Sequence, residues 1–112
     1  MLGIDIVDIE RVKNIYRKHG ELFLEKILTS EEISDLFAGR KKEFFKTLCC
    51  YIACKEAIFK ACSEENLEWK EIIIRNIKTK PLISIARPTF KKIIQLSFSV
   101  NSDMAIAQAA GV

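Results

Sequence analysis

The chain opens on an alternation of apolar and polar positions. Residues 2–9, Leu-Gly-Ile-Asp-Ile-Val-Asp-Ile, are rich in β-branched side chains and predict a strand. From residue 9 the period lengthens to that of a helix. Ile9, Val12 and the Ile15/Tyr16 pair form one apolar stripe through residue 19, and Gly20 suits the stop that follows. Residues 21–28 hold a short apolar helix with Leu22, Phe23 and Ile27. Thr29-Ser-Glu-Glu32 has the spacing of a capping box and starts a helix that reaches about Phe37 before Gly39. Residues 41–62 contain no Gly or Pro and predict a long helix with Phe44, Leu48, Ile52 and Phe59 on its apolar side. Beyond a polar link, residues 71–77 and 82–86 read as strands, and Pro88 predicts a short helix to about Ile94. Ser97–Val100 and Met104–Ala109 alternate in polarity, and Asn101-Ser-Asp103 joins them as a hairpin. One strand, a run of helices, then four strands define an α+β class, with helices packed on a mostly antiparallel sheet.

At 112 residues the chain is one domain, 1–112, with a core too shallow for a deep internal cavity. A cleft, or a site shared between subunits, is the expected place for chemistry. Net charge is only +3, which does not mark a dedicated nucleic-acid binder. The basic residues are grouped, however: Arg11, Lys13, Arg17 and Lys18 in one set, Arg40, Lys41, Lys42 and Lys46 in another. Such groups suit acidic or phosphorylated partners, or are simply solvated helix faces. No apolar run is long enough to span a bilayer and no signal peptide is visible, so the expectation is a cytoplasmic protein that needs no membrane. Cys49, Cys50, Cys54 and Cys62 all fall on one predicted helix, a poor disulfide framework that agrees with a reducing compartment.

Two carboxylates break the apolar pattern. Asp5 shares a strand face with Gly3, Val7 and Ile9, and Glu56 continues the helical stripe of Leu48, Ile52 and Phe59. A carboxylate on an apolar face needs a partner, a cation or a raised pKa. Together the two suit a hard divalent cation such as magnesium, which takes one or two protein carboxylates and fills its shell with water and substrate phosphates. The plainer alternatives are a Glu56–Lys60 pair one turn apart and a helix cap for Asp5. His19 suits a helix C-terminus, Cys50 and Cys54 small buried side chains, and Trp69 a core anchor.

Gly3-Ile-Asp-Ile-Val-Asp-Ile-Glu-Arg-Val12 and Ala53-Cys-Lys-Glu-Ala-Ile-Phe-Lys-Ala61 are similar to the two signature segments of holo-[acyl-carrier-protein] synthases. Weaker likeness extends through Ile27–Ile33, Lys80-Pro81 and Ala105-Ile-Ala-Gln108. The resemblance implies a 4'-phosphopantetheinyl transferase-like fold, assembled as a homotrimer with sites between subunits. It implies a magnesium-dependent transfer of phosphopantetheine from coenzyme A to an acyl carrier protein in fatty acid biosynthesis. Residue by residue, it makes Asp5 and Glu56 the metal ligands. Lys55 and Lys60 become the basic residues near the coenzyme A phosphates, Glu56 and Lys60 the groups nearest the chemistry, and Arg11 the contact to the acidic carrier. The chain departs from the family where Tyr51-Ile-Ala replaces Arg-Phe-Ala, Ser63-Glu-Glu replaces Gly-Thr-Gly, and Thr79-Lys-Pro replaces Gly-Lys-Pro. Its 97–101 strand lacks the histidine that some members carry. These departures keep open a second reading, a relative with no catalysis or altered specificity that binds coenzyme A or a carrier protein.

Overall fold

In the computed structural model, which describes residues 1–112, the long predicted helix is the axis of the molecule. This helix, α4 (Phe44–Ala61), is buried without interruption from Thr47 to Lys55. Residues 47–54 carry no charge, so every side of the helix can be covered. One cover is a three-stranded antiparallel sheet in the order β1 (Leu2–Asp8), β5 (Met104–Gly111), β4 (Ile94–Val100). The register sets Gly3 opposite Ala109, Asp5 opposite Ala107 and Val7 opposite Ala105, so small residues face the helix. Ala105, Ala107 and Ala109 are buried against a helix that offers Ala53, Ala57 and Ala61. At Gly3 the approach is closest: a Cβ there would lie 2.0 Å from the Ala57 carbonyl oxygen and 2.6 Å from the Ala61 nitrogen.

The remaining helices enclose the other sides: α1 (Ile9–His19), α2 (Glu21–Ile27) and α3 (Ser30–Ala38). Asp8 caps α1 by accepting from the Glu10 amide, and Gly20 ends it at φ 60°, a conformation glycine adopts freely. The capping box at the head of α3 forms as expected: Glu32 N–H donates to Thr29 Oγ1 and Thr29 N–H donates to Glu32 Oε1. A second, two-stranded antiparallel sheet pairs β2 (Ile72–Arg75) with β3 (Leu82–Ile85) and buries Ile72 and Ile74.

Three expectations change. The helix predicted after Pro88 does not form. Phe90 N–H closes a tight turn onto the Arg87 carbonyl, and Ile93 exchanges two backbone hydrogen bonds with Val112. That pairing holds the segment extended and carries β4 back to Ile94. The long helix begins only at Phe44, after a 3₁₀ turn over Lys41–Glu43. The strands divide into two sheets, and β2 stops at Arg75, where Asn76 takes a left-handed φ of 56°.

The outer face of the larger sheet is only half polar. β4 presents Gln95, Ser97 and Ser99, whereas Leu2, Ile4 and Ile6 of β1 and Met104 and Ile106 of β5 stand exposed side by side. No helix is long and apolar enough to cross a membrane.

Candidate active site

Where β1 leaves the sheet for α1, a cleft of about 350 Å³ opens between β1, α1, α2 and α4. Val12, Ile15, Phe23, Ile27, Ile52 and Trp69 form its apolar walls, and Asp5, Glu56 and Arg11 are its charged groups. Asp5 is brought to it by strand alternation and by the glycine two residues earlier, which lets β1 lie directly on α4. Glu56 is brought to it by the helical stripe, one turn after Ile52. The structure thus brings together two of the residues singled out from sequence.

Their partners differ from the plainer alternatives. Lys60 Nζ donates to Asp5 Oδ1 at 2.9 Å and to the Ile4 carbonyl at 2.9 Å, so Lys60 pairs with the strand carboxylate and not with Glu56. The helix cap is Asp8, not Asp5. Glu56 is left half-buried without an ion pair. Burial raises its pKa above the ordinary glutamate value, and the Asp5 charge adds to the rise; Lys60 and Arg11 oppose it. A half-buried carboxylate that shares a cleft with a second one is a place where a cation relieves repulsion. No cluster of three or more His, Cys, Asp or Glu side chains occurs, so the pair supplies two hard oxygen ligands and no closed protein cage. That donor set fits magnesium and does not fit structural zinc.

Lys55 lies apart from these cleft groups. The resemblance sets it near the coenzyme A phosphates, whereas its ammonium is fully buried. It donates to Glu32 Oε1 at 2.7 Å, the Ile27 carbonyl at 2.9 Å and the Trp69 carbonyl at 3.0 Å. Three donors on three acceptors leave none for a phosphate. Lys60, by contrast, is exposed and lies one helical turn beyond Glu56, with its ammonium on Asp5 at the cleft. Arg11 lines the same cleft from α1 and is exposed.

Glu32 and Trp69 escaped the sequence reading as site residues. Glu32 was legible only as a cap, yet it is buried, and its second oxygen accepts from the Ile74 amide at 2.8 Å. Trp69 was expected as a core anchor; it packs edge-on against Phe59, with ring centroids 4.9 Å apart, and also walls the cleft. Tyr51 lies fully buried at the position where the resemblance calls for arginine, and its hydroxyl has no hydrogen-bond partner. All four cysteines are buried free thiols, and His19 stands exposed at the end of α1.

Residues 1–109 match the family model described as the 4'-phosphopantetheinyl transferase superfamily. The chain is 35% identical to a holo-[acyl-carrier-protein] synthase of Chlorobaculum tepidum, over 96% of this chain and 94% of that one. It is 40% identical to the synthase of Thermodesulfovibrio yellowstonii, over 95% and 92% of the two chains. The fold is similar to the crystal structure of the Helicobacter pylori holo-[acyl-carrier-protein] synthase in complex with coenzyme A, with a TM-score of 0.85, 28% identity and the whole of both chains covered. A Bacillus anthracis synthase in complex with coenzyme A (3',5'-ADP) superposes with a TM-score of 0.83 at 26% identity, over 98% of this chain and 93% of that one.

Proposed function

The chain belongs to the 4'-phosphopantetheinyl transferase superfamily, and from that membership and its cleft we infer that it acts as a holo-[acyl-carrier-protein] synthase. In this reading it moves 4'-phosphopantetheine from coenzyme A to a serine of an apo acyl carrier protein, releasing 3',5'-ADP, in support of fatty acid synthesis. The observation that carries the reading is the meeting of Asp5 and Glu56, from two different elements, in one apolar-walled cleft beside Arg11.

The reaction joins the serine oxygen to the phosphorus that bears pantetheine and breaks that phosphorus's bond to the bridging pyrophosphate oxygen. The serine proton leaves to a base, and negative charge grows on the departing 3',5'-ADP. Asp5 and Glu56 would hold magnesium, which when bound supplies charge compensation to the pyrophosphate. Lys60, exposed and already directed at Asp5, contributes a mobile positive charge at the same edge. Arg11 stands where an acidic carrier meets the cleft, and Lys13, Arg17 and Lys18 extend its charge along α1. The walls of Phe23, Ile27 and Trp69 exclude water from the reacting phosphorus and suit the pantetheine arm. A homotrimer is part of the same reading, supported by the exposed apolar outer face of Leu2, Ile4, Ile6, Met104 and Ile106, which a neighbouring subunit would cover. A cytoplasmic location is supported by four free thiols.

The test is to incubate the protein with apo acyl carrier protein and coenzyme A, with magnesium or with a chelator, and weigh the intact carrier. The expected outcome is a magnesium-dependent gain of one phosphopantetheine. An unchanged carrier mass with coenzyme A bound would instead support the non-catalytic relative. Neither binding nor transfer would overturn the reading altogether.

A further inference from the structure

Lys55 sits one residue before Glu56, but its side chain is fully buried and does not line the cleft. Its bonds lead back to the cleft. Two of its three acceptors, the Ile27 and Trp69 carbonyls, belong to residues whose side chains wall the cleft on two sides. The Ile27 carbonyl is at the end of α2, among the last-turn carbonyls that a helix cannot satisfy internally. The third acceptor, Glu32, spreads the anchorage. Its Oε1 also takes the Thr29 amide at the head of α3, and its Oε2 takes the Ile74 amide of β2.

Burying an ion pair is a poor way to stabilise a fold, because desolvation offsets most of the attraction; apolar side chains of similar volume often do as well. What an apolar pair cannot do is grip two carbonyls at a fixed distance from the next residue along the helix. We propose that Lys55, with Glu32 as its buried counter-ion, is a positioning residue that holds the Ile27 and Trp69 walls in register with Glu56 for binding of coenzyme A. This inference rests on the transfer reading of the cleft, but one of its readouts does not.

The test compares Lys55→Met with the double variant Lys55→Met/Glu32→Gln, which also removes the buried charge that the single variant strands. Trp69 is the only tryptophan, so its fluorescence reports one wall directly. The expected result is a double variant that melts above the single one, with Trp69 quenched by acrylamide about twofold more readily than in wild type. Its KM for coenzyme A rises by about tenfold with a smaller change in kcat, as expected for lost positioning in binding. A folded double variant with wild-type quenching and wild-type KM overturns the proposal. Failure of both variants to fold also overturns it, since Lys55 is then a folding residue. A wild-type protein that modifies no carrier refutes the transfer reading, while the quenching comparison still decides whether Lys55 holds the wall.

Discussion

Asp5 and Glu56 were legible because each interrupts an otherwise apolar pattern. Glu56→Gln keeps the shape of the side chain and removes one of the two charges proposed to hold magnesium; transfer is expected to fall by about a hundredfold or more. Asp5→Asn is expected to match it, and isothermal titration of magnesium in the presence of coenzyme A shows whether both losses come from the metal. Lys55 was set near the coenzyme A phosphates by its place in the Lys-Glu-Ala-x-x-Lys motif, and a motif does not say which way a side chain points. On α4, whose middle has almost no solvent side, a lysine can as easily be buried and saturated as exposed. At the edge of the fold, Arg87 donates to both carboxylate oxygens of Glu71 and to the carbonyls of Glu65 and Asn66, fastening the link that leads to Trp69. The hydrogen bonds from Arg87 hold Glu71 below the ordinary glutamate pKa, helped by the Glu68 amide. A lowered carboxylate pKa stabilises the fold above its unfolded value, and that contribution disappears as pH falls through the folded value. Melting curves should therefore separate wild type from Glu71→Gln at neutral pH and converge below the usual glutamate range.

At the scale of elements, close packing of β1 on α4 is what brings a strand carboxylate to a helix carboxylate. Gly3→Ala is the sharp test, since its methyl meets backbone on both near contacts and neither can rotate away. The strand must lift, at a cost of about 3 kcal/mol in urea unfolding. Because Asp5 rides on that strand, the proposed magnesium site is expected to weaken in whatever fraction remains folded. Strand and helix order could be read from the chain because period and capping are local signals, as the Thr29–Glu32 box shows. The segment after Pro88 could not, because a partner far away in sequence, Val112, decides its conformation. Where β2 ends turns on the left-handed Asn76, a choice that asparagine allows but does not announce.

For the whole molecule, the exposed row of Leu2, Ile4 and Ile6 beside Met104 and Ile106 faces outward from the sheet that carries Asp5. A partner covering that face buries β1 and steadies the cleft behind it. Light scattering on size-exclusion chromatography is expected to give a trimer for wild type and a smaller species for Ile6→Glu, with transfer falling as the assembly dissociates. A wild-type monomer would sink this expectation. All four sulfurs lie on the central helix or at its cap, each buried and each less acidic than a free thiol because of that burial, with Cys50 raised to about 11. They are therefore silent to alkylating reagents for as long as the axis of the fold is closed. Labelling with iodoacetamide, followed by mass, becomes an internal clock: the rate at which label appears measures how often the native chain opens, without a mutation, a dye or a denaturant.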